Sequence, residues 1–316
     1  MSDLKVFRLA EGQAAPLTAS SAALEKNLQK LIEDNMGTIF GVEFLQSEYV
    51  TGKVHGGRID SLGIDENGLP VILEYKRHQN ENAINQGLYY LDWLMDHRGE
   101  FQLLVQQKLG YERASIIDWS EPRLICVANS FTRYDEHAVK QIDRNVQLVR
   151  YQYFGDDLLA VELITTTEKS TSGTSTPSSA GAAGVAQPVV SQGVIRSTEK
   201  TVTEKLHQAT PTLRGLYEQV EDFALSLGED VIKKVNKNYF AFRRLKNFAC
   251  VEVHPQSGNL LVHLKLNPKE FSEEEDFLRD MTGIGHYGTG DLELRIADAS
   301  RWEEVASLIS QAYEEN

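Results

Sequence analysis

The sequence predicts an α/β N-terminal domain, a mixed sheet flanked by helices over residues 1–165, then a linker at 166–200 and a smaller α+β domain at 201–316. Three observations predict it. Up to residue 165, strand-like and helix-like patterns alternate along the chain, which is how a sheet layered with helices is written. From Thr165 to Lys200 the composition changes abruptly to Ser, Thr, Gly, Ala and Pro, with hardly any large apolar side chain. Such a stretch buries too little surface to offset its ordering entropy and reads as a flexible spacer. The full length of 316 residues also exceeds one average domain and fits two.

In order along the chain, Leu4, Val6, Phe7 and Leu9 suggest an edge strand. Ser20 or Ser21 caps a helix running to Asn35, with Leu24, Leu28, Leu31 and Ile32 at helical spacing. Met36 to Tyr49 reads as a strand or turn, and a β-hairpin follows at Arg58 to Lys76. Asn80 to His97 is a helix whose apolar stripe holds Ala83, Ile84, Gly87, Leu88, Leu91, Leu94 and Met95. A second face of that helix carries Gln86, Tyr90, Trp93 and His97. Phe101 to Leu109 is another helix, stopped at Gly110. The apolar run Pro122 to Ala128 is a buried central strand. Tyr134 to Arg144 reads as a helix, and Val146 to Phe154 with Leu158 to Ile164 as a closing hairpin. Beyond the spacer come a helix ending at Gly228, strands around Tyr239 to Phe242, Phe248 to Val253, Leu260 to Leu266 and Leu292 to Ile296, and a terminal helix. Ser272 with Glu275 and Ser300 with Glu303 read as capping boxes for the last two helices.

Composition excludes some classes. With 41% hydrophobic and 25% charged residues the chain is that of a globular protein. Its apolar runs are far shorter than the roughly 18 residues that span a bilayer, and Met1 to Lys5 lacks the apolar core of a signal peptide, so the expectation is a cytoplasmic protein without membrane contact. Cys126 and Cys250 form no framework of disulfides or metal ligands and are expected as buried thiols. A formal charge of −14 argues against a general polyanion binder. Nucleic-acid affinity would have to come from a local patch, and Lys53, Arg58, Arg77, His78 and Arg98 cluster in sequence around the hairpin and the next helix.

The hairpin carries the chemistry. If Glu66-Asn67-Gly68 forms a three-residue loop with Gly68 in the left-handed region, Asp65 pairs with Leu69, and counting back places Asp60 opposite Glu74. Side chains alternate along a strand, so Glu74 and Lys76 share a face. Two carboxylates and an ammonium then converge. Hard divalent cations prefer carboxylate oxygens, and Mg²⁺ takes one or two of them with several waters. The competing reading is a surface hairpin with solvated charges.

The set of Asp60, Glu74-x-Lys76 and a following helix with Gln86-x-x-x-Tyr90 resembles the PD-(D/E)XK nuclease superfamily, nearest in its RecB-like and NucS-like group. The resemblance covers residues 20 to 165; Ile59 stands where the Pro of the family's name would be. It implies a restriction-endonuclease-like fold and a Mg²⁺- or Mn²⁺-dependent endonuclease acting on DNA. Asp60 and Glu74 would be the metal ligands, Lys76 would position the attacking water, and Gln86 and Tyr90 would support lysine or substrate. Lys53, Arg58, Arg77 and Tyr90 are the candidate nucleic-acid contacts. The family's first helix contributes an acidic residue, for which Glu25 is the candidate and Glu33 its competitor. The C-terminal region resembles an uncharacterised domain appended to such nucleases. There, Lys233, Lys234, Lys237, Arg243, Arg244 and Lys246 interleave with Tyr239, Phe240 and Phe242, a pattern suited to unpaired bases or to a protected sheet edge. Gly283 to Gly290 lacks the lysine of a P-loop and reads as a turn. The rival class is a non-catalytic binding or regulatory protein on a degenerate nuclease scaffold, with a homodimer or a protein partner engaged through the C-terminal domain left open.

Overall fold

The computed structural model describes residues 4–10, 12–20, 28–52, 56–76, 83–155, 157–167, 200–272 and 277–316. Glu25, Lys53, Arg77, His78 and Glu275 lie outside the described residues, as does all of the expected spacer except Thr166, Thr167 and Lys200. The chain divides into two compact units, Met1–Lys169 with Arg244–Asn247, and Ser170–Arg243 with Phe248–Asn316.

The first unit is mixed α/β. Its elements are β1 (Val6–Ala10), β2 (Gln13–Leu17), β3 (Ala19–Ser20), α1 (Leu28–Asp34), α2 (Met36–Phe40), β4 (Val42–Val50), β5 (Arg58–Asp65), β6 (Pro70–Lys76), α3 (Ala83–Asp96), α4 (Arg98–Leu109), α5 (Tyr111–Ser115), β7 (Arg123–Ala128), α6 (Arg133–Val139), β8 (Asn145–Phe154) and β9 (Leu158–Thr166). β1 and β2 pair alone, while a seven-stranded sheet runs β3-β8-β7-β6-β5-β4 with β9 on β8. β7 is parallel to both β6 and β8, whereas β5 is antiparallel to β4 and β6. The near-continuous apolar run in β7 follows from burial on both faces. Leu62, Ile72, Leu124 and Leu148 face α3 and α4 through Ile84, Leu91, Leu94 and Phe101. The alternate residues Val71, Leu73, Ile125 and Val149 face α1 and α2 through Leu28, Ile32, Met36 and Phe40.

Two expectations are corrected. Residues 36–40 form a helix rather than a strand or turn, because Met36 and Phe40 are four apart on one buried side and Gly41, at φ 63°, ends the helix in the left-handed region. The helix expected from Tyr134 to Arg144 stops at Val139, leaving a turn before β8.

The second unit contains α7 (Val202–Gln208), α8 (Pro211–Ser226), β10 (Ile232–Val235), β11 (Phe240–Arg243), β12 (Asn247–His254), β13 (Asn259–Leu264), β14 (Leu278–Asp280), β15 (Leu292–Ile296) and α9 (Trp302–Glu315). Six strands form one sheet in the order β10-β11-β12-β13-β15-β14. The stripe of Leu213, Leu216, Tyr217 and Val220 on α8 and of Val305, Ile309 and Ala312 on α9 packs on one sheet face through Phe242, Phe248, Val251 and Val262. α9 starts without the expected capping box: Arg301 stands at the N-cap position with no side-chain cap hydrogen bond, and the Ser300 amide donates to Asp298 Oδ1 at 2.8 Å instead of to Glu303.

One buried carboxylate sets the hairpin on which the site stands. The β5–β6 turn has Gly68 at φ 85°, outside the range an L residue adopts without cost. Asp65 Oδ1 accepts from the amides of Asn67 and Leu69, both at 2.9 Å. Its Oδ2 meets Arg123 Nη1 of β7 at 3.0 Å, and Arg123 Nη2 donates to Gln147 of β8 at 2.7 Å. Asp65 and Arg123 are both buried, so removing one partner strands the other charge. Asp65→Ala is expected to cost about 3–5 kcal/mol in chemical denaturation. A loss under about 1 kcal/mol, the scale of an exposed pair, would refute this anchoring.

Candidate active site

The β5–β6 ladder pairs Ser61 with Leu73 and Ile64 with Pro70, and the Asp65 amide donates to Leu69 O at 2.8 Å. The same register brings Asp60 level with Glu74. Each carboxylate is held by the opposite strand: the Asp60 amide donates to Glu74 Oε1 at 3.2 Å, and the Tyr75 amide donates to Asp60 Oδ2 at 3.0 Å. Both side chains lie on the α3 face, with Lys76 two residues beyond Glu74.

A third carboxylate joins them that no motif announces. Ser47 pairs with Ser61 and Tyr49 with Ile59, so Glu48 stands opposite Asp60 on β4. Glu48 has φ 53°, the one positive value at a non-glycine among the described residues, a conformation that costs an L residue about 1–2 kcal/mol. Its carboxylate pairs with the guanidinium of Arg58 and accepts from Gln29 Nε2 at 3.3 Å. Gln29 also donates to the Asp60 carbonyl at 2.9 Å and to Glu33 Oε1 at 3.1 Å. Glu33 turns to the other sheet face, where Ser61 Oγ donates to it at 2.6 Å. The first helix therefore reaches the carboxylate row through an amide, Gln29. This residue was invisible to a search for an acid, and Glu48 could be found only once the β4 register was known.

Burial, reinforced by the charges of Asp60 and Glu48, pushes the Glu74 carboxyl from 4.5 up to about 9, although the Asp60 amide pulls the other way. At neutral pH the metal-free protein therefore holds Glu74 protonated. Carboxylates crowded to this degree favour a cation between them. Among the described residues no group of three or more His, Cys, Asp or Glu is arranged to hold a metal. Asp60 and Glu74 offer two carboxylates, the number that Mg²⁺ or Mn²⁺ takes when its remaining positions are filled by water.

Lys76 is buried at the end of β6, and its ammonium lies 3.3 Å from Asp135 Oδ2. Gln86 is exposed on the first turn of α3. Tyr90 is 8% exposed, its hydroxyl accepts from the Arg58 amide at 3.2 Å, and its ring lies where a Cβ on Gly57 would stand. It wedges the start of β5, upstream of Asp60. Arg58 is exposed and paired with Glu48.

In the second unit the basic and aromatic run is largely internal. Lys233 and Lys234 are buried, and Lys233 Nζ bonds Glu221 at 2.7 Å beneath the rings of Tyr217 and Phe240. These two lysines therefore do not form a surface for phosphate. On the sheet's outer face burial alone would raise Glu252, but a hydrogen bond with His254 at 3.1 Å and the proximity of His263, its Nε2 3.4 Å from Oε1, hold it down at about 2. Its Oε1 also receives the Tyr287 amide at 3.3 Å, which ties down the glycine-rich loop.

A family described as a domain of unknown function, DUF5655, matches residues 200–316. Over 314 residues the chain is 28% identical to an uncharacterised protein of Haemophilus influenzae, covering 98% of this chain and 99% of that one. A solved complex of EndoMS with dsDNA is 23% identical, covers 42% of this chain and 47% of that chain, and superposes with a TM-score of 0.27. A repair endonuclease from Pyrococcus abyssi is 21% identical with coverages of 42% and 50% and a TM-score of 0.27. This chain thus spans about half the length of each of those two structures. No helix among the described residues is long and apolar enough to cross a membrane.

Because the folded-state value of Glu74 lies above its unfolded one, its contribution to stability is complete below about pH 4.5 and is lost as pH rises towards about 9. In chelator, the melting temperature of the wild type is expected to fall below that of Glu74→Gln as pH rises through this window, the two curves meeting near pH 4.5. Parallel curves would mean that Glu74 ionises in the fold at no cost.

Proposed function

We propose that this chain is a metal-dependent nuclease that hydrolyses phosphodiester bonds in DNA. The observation that carries the reading is the convergence of Asp60, Glu74 and Lys76 on one face of a hairpin whose register a buried ion pair secures. A scaffold protein has no physical need to set a buried carboxylate, driven to neutrality, between a half-buried carboxylate and a buried lysine. The motif resemblance to the PD-(D/E)XK superfamily, carried by these residues with Gln86 and Tyr90, points the same way.

Asp60 and Glu74 would hold Mg²⁺ or Mn²⁺, and a bound ion of this kind polarises a phosphoryl oxygen and acidifies its water. Glu74 must give up its proton to bind it, so metal affinity rises with pH. Lys76 has three N–H donors and can hand one to a phosphate oxygen as negative charge builds. Tyr90 and Gln29 fix the backbone of β5 on either side of Asp60. Arg58, exposed at the entrance to β5, is the described cation best placed to meet a phosphate; the overall charge of −14 leaves affinity to such local groups.

Asp60→Ala and Glu74→Ala are each expected to abolish Mg²⁺-dependent cleavage and to weaken metal binding in calorimetry. Lys76→Ala should abolish cleavage and leave the metal bound. Gln86→Ala, at an exposed position, should have a milder effect. The assay is cleavage of single-stranded, duplex and mismatched DNA with Mg²⁺ or Mn²⁺. Wild-type protein that neither binds metal nor cuts any of these would replace the enzyme by a non-catalytic binding protein.

A further inference from the structure

Lys76 has an unexpected partner. From the strand pattern, its ammonium would be expected to fold back on Glu74 or Asp60, the nearest carboxylates on the same face. It instead meets Asp135 Oδ2 at 3.3 Å, with the lysine side chain 7% and the aspartate 24% exposed. Asp135 is itself fixed. Its Oδ2 accepts from the Thr132 amide at 2.8 Å and from Thr132 Oγ1 at 3.0 Å, while its own amide donates to Thr132 Oγ1 at 3.2 Å, a reciprocal cap on α6. The ring of Phe131 lies 5.9 Å from the ammonium. β6 and β7 run parallel with Lys76 level with Ala128, so the segment after β7 curls over the end of β6 and delivers Asp135 to the lysine.

We propose that Asp135 is the positioning residue for Lys76: its carboxylate holds the ammonium off Glu74 and so keeps the lysine from competing with a cation for that carboxylate. The inference rests on the metal-site reading above. A lysine released from Asp135 has Glu74 two residues away on the same face, and an ammonium–carboxylate pair there competes directly with a divalent ion for the same oxygens. The cap also shows why a carboxylate at this position holds its place. It has three hydrogen-bond or ion-pair partners, and the N–H groups at the start of a helix favour a negative charge. Asp135 acts through Lys76 and touches neither ion nor substrate.

A double-mutant cycle separates this role from simple helix capping. Asp135→Asn keeps an acceptor for Thr132 but removes the charge. Divalent-metal calorimetry on the full chain should then show Mn²⁺ affinity falling by about tenfold, the scale of a lost outer partner, with kcat reduced and KM little changed. In the Lys76→Met background the same Asp135→Asn substitution should leave Mn²⁺ affinity unchanged, because no ammonium remains to compete. Thr132→Ala, which removes the cap and leaves the ion pair, should lower the melting temperature and spare Mn²⁺ affinity. An equal loss of affinity from Asp135→Asn in both backgrounds, or none in either, would overturn the role of Asp135 while the metal site stood. Wild-type protein that takes up no Mn²⁺ would overturn the metal site and this inference together.

Discussion

The Asp65 carboxylate is the constraint on which the N-terminal unit depends. It closes the β5–β6 turn through two amides and reaches across the sheet to Arg123, which reaches on to Gln147. A strand has a side-chain period of two, so a slip of one residue in this hairpin would exchange its two faces. Asp60, Glu74 and Lys76 would then enter the layer under α1 and α2, and Ser61, Leu73 and Tyr75 would take their place. A buried ion pair contributes little net stability over an apolar substitute, but a wrong register would leave two charges uncompensated in the core. Here that penalty enforces the register.

The site built on that register is under electrostatic tension. Glu48, Asp60 and Glu74 stand in a row across three strands, and Glu48 keeps a left-handed backbone to do so. The protein meets the repulsion in three ways: Glu74 is driven towards its neutral form, Glu48 is paired with Arg58, and backbone amides donate to Asp60 and Glu74. Lys76, the obvious counter-charge, is instead committed to Asp135. Such an arrangement stores electrostatic strain, and it is the feature on which the proposed cation site rests. It also accounts for an acidic protein that can still be proposed to meet a polyanion, because a bound ion changes the sign of the local field.

The second unit is organised differently. Its charged residues are largely satisfied within the fold: Lys233 by Glu221 and two aromatic rings, and Glu252 by two histidines and a loop amide. Alternation explains why the sequence suggests a basic surface here. Lys233 and Lys234 point to opposite faces of β10, and both faces are covered, so two consecutive lysines on a strand give no exposed stripe.

By itself the sequence determined the alternating layers of the N-terminal unit, the buried central strand at Arg123–Ala128, the change of composition after residue 165, and the hairpin with its register. These are local: periodicity, a glycine where the backbone needs one, and turn geometry that counts outward residue by residue. The pairing of Asp60 with Glu74 was legible because both lie within one hairpin. Glu48, Gln29 and Asp135 were not. Glu48 depends on the β4–β5 register, which a bulge between Phe44 and Gln46 shifts. Gln29 depends on where α1 crosses that edge, and Asp135 on how the chain leaves β7. For Lys233 the sequence left two readings open, unpaired bases or a protected sheet edge, because a polar or aromatic pattern does not say which face is covered; β10 is the edge strand of its sheet. Those contacts arise from packing between elements far apart in the chain, and only the tertiary structure decided them.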